Sequence, residues 1–400
     1  MSVTLRAADR KAARAAPPAF LAKGFRPFYL LAGLQALLWI PLWLAVLNGL
    51  LPVPGHFDPI VWHGHEMLFG YAAAVLVGFL LTAIPNWTGL PTPTGLPLGL
   101  LALLWLAGRL LMLGGGALPA WLVAAADSAF LPAAGLVMLP PLVRSRNRRN
   151  IVFPFLLIAL GGANLVIHLD QMSLSDRGTA GLDAMLGAMA VIMVLMTGRV
   201  VPFFSRNALP QAGIGRNERL DSAALAAAAL AAVAGVAAPA SLSAGLLAGL
   251  AAILLAARAV PWRPLATRNE PMLWVLHAGH FWIAVAFALW AVAAFDPAVI
   301  RGVPVHALTV GAIGSLTLGM MARSALGHTG RRIAAGPAIA GAFIAINLAA
   351  LLRAFGPLVW PDAYDLMLLL SGAAWTLAFG LFVIVFLPIL TRPRIDCRPG

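Results

Sequence analysis

The sequence predicts an all-α integral membrane protein of twelve transmembrane helices, and three observations carry that prediction. Of its 400 residues 61% are hydrophobic and only 10% charged, where soluble domains carry roughly 25% charge. Apolar runs long enough to cross a hydrocarbon core, about 20 residues for about 30 Å, recur twelve times between clusters of Arg, Pro and Gly. Lys and Arg gather in alternate connections, the pattern of a chain whose cationic loops stay on one face of the membrane. So little charge leaves no polar surface for a second, water-soluble domain.

A basic arm, residues 1–27, opens the chain with Arg6, Arg10, Lys11, Arg14, Lys23 and Arg26. It lacks a discrete apolar core and a small-residue cleavage site, so it reads as a retained cytoplasmic arm and not as a signal peptide. The membrane domain, residues 28–390, begins with spans from Phe28 to Asn48, His63 to Ile84, Leu96 to Leu113 and Ala120 to Leu139. Four more run from Ile151 to His168, Leu182 to Phe204, Ser222 to Ala238 and Leu242 to Val260. The last four are Leu273 to Phe295, Val303 to Arg323, Ala334 to Arg353 and Asp365 to Leu390, and residues 391–400 form a tail. With this division the arm, the even-numbered connections and the tail hold 23 of the 27 Lys and Arg residues. The odd connections hold Arg177, Arg301 and Arg353, and Arg109 lies inside the third span. Both termini are therefore expected in the cytoplasm. The net charge of +13 reports this topology, and no nucleic-acid partner is expected.

His63, Asp183 and His306, at the starts of helices two, six and ten, are spaced by 120 and 123 residues. Each of these helices is rich in Gly and Met and ends in a similar polar exit, which suggests three pseudo-repeats of four helices.

The topology sorts the histidines by depth. His63 and His65 open helix two, His168 lies near the far end of helix five, and His306 opens helix ten, so four imidazoles share the outer level. His277 and His280 lie in the inner half of helix nine, and His328 follows helix ten on the inner side; His56 sits in the first outer loop and is expected to be solvated. A lone Cys397 excludes disulfides, thiolate clusters and covalent haem attachment, leaving His, Met or carboxylate to hold any metal or haem. Ionisable groups at membrane depth are costly and default to functional candidates, and imidazole is the common ligand of haem iron and copper. His63 and His65 fall about 200° apart on an ideal helix and should face different partners; His277 and His280 fall about 60° apart and share a face, which permits a shared ion.

Glu66 follows His65 directly, as a proton donor or as a partner fixing an imidazole tautomer. Asp58, Asp170 and Asp183 are read as outer-loop and helix-start carboxylates, and Arg109 with Asp127 as a structural ion pair. Met185, Met189, Met193 and Met196 on helix six, with Met320 and Met321 on helix ten, read as core packing. On the inner side, Gly327-His328-Thr329-Gly330-Arg331-Arg332 and the run from Arg199 to Arg206 suit a phosphate head group of a membrane lipid or a haem propionate, or snorkel to the lipid surface.

Several stretches together resemble one family. They are Phe25-Arg26-Pro27-Phe28, Trp62-His63-Gly64-His65-Glu66-Met67, Gly78 to Gly89, Asn164 with His168, Gly198-Arg199-Val200-Val201-Pro202-Phe203, and His306 through Gly327-His328-Thr329-Gly330-Arg331. In these the chain is similar to the NnrS family. The resemblance implies a bacterial inner-membrane protein carrying haem b and copper and linked to nitric oxide metabolism and nitrosative stress. It points to His63, His65, Glu66, His168, His277, Arg199, His306, His328 and Arg331 as functional positions; His280 departs from its pattern, since an aromatic is usual there. More distantly, the architecture resembles haem-copper oxidase and nitric oxide reductase catalytic subunits, whose haem-ligating places on helices two and ten fall to His65 or His63 and to His306. Helices six and seven carry no histidine, so the three-histidine copper site of those enzymes does not carry over. The leading expectation is reduction of nitric oxide to nitrous oxide, with Glu66 as the catalytic proton relay and with electrons from quinol or a redox partner. A non-catalytic haem protein that senses or scavenges nitric oxide or protects metal is the alternative, and a twelve-helix transporter the third.

Overall fold

The computed structural model describes residues 17–239 and 241–396. Arg6, Arg10, Lys11, Arg14, Cys397 and Arg398 lie outside the described residues. Among the latter there are helices and connections only, and twelve helices are long and apolar enough to cross a membrane. They are α1 (Phe25–Leu47), α2 (Pro59–Thr88), α3 (Leu96–Ala117), α4 (Ala120–Arg144), α5 (Val152–Gln171) and α6 (Gly178–Ala208). Next come α7 (Glu218–Ala237), α8 (Leu242–Trp262), α9 (Pro271–Ala293), α10 (Gly302–His328), α11 (Pro337–Val359) and α12 (Pro361–Thr391). The protein is a multi-pass membrane protein with one span for each run read from the sequence.

Local chemistry sets the ends. Asp58 caps α2, its Oδ1 accepting from the Ile60 and Val61 amides at 2.9 and 3.4 Å, with Pro59 as first helical residue. Asn217 and Ser241 cap α7 and α8 in the same way. Gly89 ends α2 in the left-handed region at φ 70°.

Several helices run past the expected ends. Arg353, placed at the end of the eleventh span, lies within α11, which continues to Val359, whereas Arg258 falls inside the eighth span as read and is buried within α8. A covered arginine does not end a helix, so charge misplaced the end of α11.

Packing follows the three-unit division. α2, α6 and α10 meet at the centre, and α2 and α10 are the most deeply buried spans. Around them α12 packs on α1, α4 on α5 and α8 on α9, so that the fourth helix of each unit meets the first of the next and the ring closes. His63, His65 and His306 lie at one end of the central helices, here the histidine-rich end; Arg26, Arg199, Arg323 and His328 lie at the other, the arginine-rich end.

Two of the central helices are irregular at matching places. α2 becomes π-helical over Glu66–Ala72, directly after His65, and α10 over Ala307–Gly314, directly after His306. α6, which carries no histidine, stays α-helical throughout. π-helical turns are rare and concentrate at functional sites.

Candidate metal centre

α2, α3, α4 and α5 bring together a fully buried polar cluster at the histidine-rich end. Its members are His65 and Glu66 of α2, Arg109 of α3, Asp127 of α4, and Asn164 and His168 of α5, joined by Gln35 of α1. Two glycines make the room. A Cβ on Gly70 would lie 2.8 Å from Gln35 Nε2 and 3.1 Å from Arg109 Nη1, and one on Gly108 would lie 2.8 Å from Asp127 Oδ1. The Gly70 carbonyl, inside the π-helical stretch, accepts from Trp105 Nε1 at 3.0 Å.

Arg109 bridges the two carboxylates, donating through Nη1 to Glu66 Oε1 and through Nη2 to Asp127 Oδ1. Glu66 has no free oxygen: Oε1 also lies 3.1 Å from His65 Nδ1, and Oε2 accepts from Gln35 Nε2 at 3.0 Å. Asp127 Oδ2 accepts from Asn164 Nδ2 at 2.8 Å and stands 2.9 Å from His168 Nε2 and 3.0 Å from His65 Nε2. Because the Asn164 amide nitrogen is committed to Asp127, its oxygen faces His65 Nε2 at 2.7 Å. Phe57 packs against both imidazoles and Phe69 stacks on His65, which keeps the surroundings apolar.

Proton bookkeeping makes this arrangement unusual. His65 faces acceptors at both ring nitrogens, Glu66 on one side and Asn164 with Asp127 on the other. That calls for either an imidazolium or an Nδ1–H imidazole whose Nε2 meets a cation. One guanidinium stands against two carboxylates, so with neutral imidazoles the buried cluster is short of one positive charge, a costly state in a membrane. His65, Asp127 and His168 each offer a ligand atom, all within 4.8 Å of one another. Two imidazoles and a carboxylate suit iron, copper or zinc, and Glu66 at Nδ1 is the outer partner that orients a ligating histidine. Glu66 thus takes the tautomer-fixing place of the two roles open to it, and Asp127, read as half of a structural ion pair, also faces both histidines.

His63 points elsewhere. It stacks on Trp43 of α1 with ring centroids 4.7 Å apart, and it lies within electrostatic range of His306 of α10 and Arg353 of α11. His306 Nδ1 donates to the Gly302 carbonyl at 2.6 Å, which leaves its Nε2 for another partner. Two imidazoles from the two π-disturbed central helices with a guanidinium beside them are a donor set that fits haem iron and a propionate.

The remaining candidates are apart. His277 Nε2 lies 3.0 Å from Ser205 Oγ, and its buried Nδ1 has no hydrogen-bond partner among the described residues. His280 is held by the Leu255 carbonyl at 2.9 Å and by Thr197 and Arg258, so the two have separate hydrogen-bond partners, although Trp262 packs against both rings. His328 is 22 residues along α10 from His306, about 33 Å at 1.5 Å per residue, so it and Arg331 are remote from any group bound at His306. Arg199 donates to Asn150 Oδ1 at 3.3 Å, also at the arginine-rich end. His56 is exposed, as expected of a solvated side chain, and also faces the Gly115 and Leu118 carbonyls at 3.1 and 3.0 Å. Asp58 is the helix cap described above, Asp170 accepts from Gln171 at 3.3 Å, and Asp183 pairs with Arg301. Met185, Met189, Met193 and Met321 are buried; Met189, Met193, Met196 and Met320 line an apolar cavity of about 80 Å³ between the central helices.

A family model described as NnrS protein matches residues 19–394, nearly the whole chain. The chain belongs to the NnrS family. That family is linked to nitric oxide metabolism. No curated protein matches the chain. Membership covers both the histidine-rich end and the glycine-arginine loop after α10, so each group of residues described above lies within the matched region.

Proposed function

We propose that this NnrS protein is a haem- and copper-containing enzyme that reduces nitric oxide to nitrous oxide in the bacterial inner membrane, with both termini in the cytoplasm. The observation that carries the reading is the buried cluster short of one positive charge, in which two imidazoles and a carboxylate converge. His65, Asp127 and His168 would hold copper there, and of the two candidates His63 and His65 it is His63, which faces away from that cluster, that would hold haem b with His306. When bound, the two groups would supply nitric oxide binding and electron exchange. The chain's own contribution is an apolar setting that admits a small neutral gas, a carboxylate fixing the His65 tautomer, and exclusion of bulk water. Two nitric oxide molecules, two electrons and two protons yield one nitrous oxide and one water, and a membrane quinol supplies both electrons and both protons. A cavity of about 440 Å³ beside α10 suits such a donor: Phe287 and Trp290 line it, as do the Asp183–Arg301 pair and Pro304 and Val305, just before His306.

One observation favours the non-catalytic alternative. Glu66, the carboxylate nearest the histidines in sequence, has both oxygens occupied and is no ready proton relay. Optical and metal analysis of the pure protein, followed by nitric oxide consumption with a quinol donor, separates the readings. Haem, copper and nitrous oxide well above the amount of protein are expected; stoichiometric binding without nitrous oxide would make the protein a sensor or scavenger.

A further inference from the structure

The reading above leaves the cations of the arginine-rich end unused. There Lys23, Arg26, Arg331 and Arg394 gather around His328, brought together because the segment after α12 folds back across the ends of α1 and α10. Arg26 Nη1 donates to the carbonyls of Leu390 and Arg392 at 3.0 and 2.7 Å. Arg394 Nη1 donates to the His328 carbonyl at 2.7 Å, and the Ile395 amide donates to the Thr329 carbonyl at 3.3 Å. Lys23 Nζ lies 3.3 Å from His328 Nδ1. The four cations feel one another: Lys23 interacts with Arg26 and Arg394, and Arg26 with Arg331 and Arg394.

Snorkelling to the lipid surface does not explain the group, because Arg26 is only 1% exposed and Lys23 turns inward to His328. Among the described residues the carboxylate at this place is Asp396, which holds Arg394 in a two-bond fork at 2.8 and 2.5 Å. That is one carboxylate against four cations among the described residues, an excess of positive charge. Two donors aim at nothing: Arg331 Nη1 and Arg26 Nε are buried without an acceptor among the described residues. Buried donors without partners and like charges held together both cost free energy, and an anion with several oxygens relieves both at once.

We propose that Lys23, Arg26 and Arg331 form a binding site for a phosphate group at the arginine-rich end of the protein. Guanidinium groups match phosphate oxygens in pairs, and the ammonium adds a point charge. Burial, aided by repulsion from Arg394 and Arg26, pulls the Lys23 pKa below its ordinary value, and a bound anion would offset that repulsion. The phosphate is either the head group of an anionic lipid or a free phosphate from the aqueous phase.

The test is thermal unfolding of the purified full-length protein in neutral detergent, followed by tryptophan fluorescence. Inorganic phosphate is titrated at constant ionic strength against chloride, and short-chain phosphatidylglycerol against phosphatidylcholine. A rise in midpoint with phosphate and phosphatidylglycerol supports a general phosphate site; a rise with phosphatidylglycerol alone assigns the site to lipid. Arg331→Gln and Lys23→Gln should each raise the half-saturating ligand concentration at least tenfold, with Arg331→Lys intermediate. No rise with either ligand, equal rises with phosphatidylcholine, or unchanged titrations in both Gln variants would overturn the proposal. None of these readouts depends on haem, copper or nitric oxide.

Discussion

Replacing Glu66 by Gln separates a positioning role from a proton-relay role. The carboxylate accepts from Arg109 and His65 through Oε1 and from Gln35 through Oε2. A glutamine keeps one oxygen and gains an NH₂. With the oxygen turned to Arg109 and His65, the NH₂ faces Gln35, whose own amide can turn to accept it. Shape and hydrogen bonding therefore survive, and what goes is one charge of a buried ion pair. Breaking a buried pair costs about 3–5 kcal/mol when it strands the partner's charge; Arg109 keeps Asp127, and the cluster loses the negative charge that nothing balanced, so without metal the loss falls below that range. For a chain of this size that is a fall of less than about 3 °C in the metal-free unfolding midpoint. The His65 tautomer is still supported, so copper affinity should weaken about tenfold in Glu66→Gln and about a hundredfold in Glu66→Ala, the range for outer partners of metal-binding histidines. The assay is copper content after dialysis against a graded chelator, with nitrous oxide measured by gas chromatography on the same samples. Nitrous oxide formation should track copper content. Full copper with no nitrous oxide in Glu66→Gln would refute the positioning argument and make Glu66 the proton donor.

Other outcomes follow from the same geometry. Gly108→Ala puts a Cβ 2.8 Å from Asp127 Oδ1, so it should displace that carboxylate, cost about 1–3 kcal/mol of stability and lower copper content with haem unchanged. His306→Ala should remove or shift a Soret band while the protein still inserts; spectra of His306, His63 and His65 single variants all equal to wild type would end the haem assignment. Alkaline phosphatase fused after Gly400 should be inactive, and an active fusion would reverse the assigned orientation. Because the folded-state Lys23 pKa is lowered, the unfolded chain binds the extra proton, so without anion stability should rise with pH through the Lys23 titration, which begins below the usual lysine range. Lys23→Gln should flatten that rise in a pH series of unfolding midpoints.

All twelve spans were legible because apolar length is a strong signal. Their ends were less so, since Arg353 continues a helix that charge alone would have ended. At the site, depth sorted the imidazoles onto one level, but depth cannot say which neighbours they meet. The angle between His63 and His65 does say that they face apart. Asp127 and Arg109 were visible only as a pair on neighbouring helices, because their third and fourth partners come from α2 and α5, far away in sequence. Gln35 gave no signal at all: a lone amide in an apolar run looks like a tolerated polar residue until Gly70 brings α2 against it.

The two π-helical stretches explain why helical-wheel reasoning loses its grip just past the histidines. A π turn holds an additional residue, and each residue is worth about 100° of helix rotation, so the faces below Ala72 and Gly314 are turned relative to those above. In α2 the turn lets His65 and Glu66 face the α3–α5 cluster. Tyr71, lower on the same helix, meets Thr317 of α10 at the molecular centre. In α10 it lets His306 face α2 at one end, with Thr317 reaching Tyr71 farther down. Both histidine-bearing central helices take the turn at the residue after the histidine, and α6, with no histidine, does not take it. The irregularity therefore goes with the histidines, and not with the packing of the central trio that all three helices share.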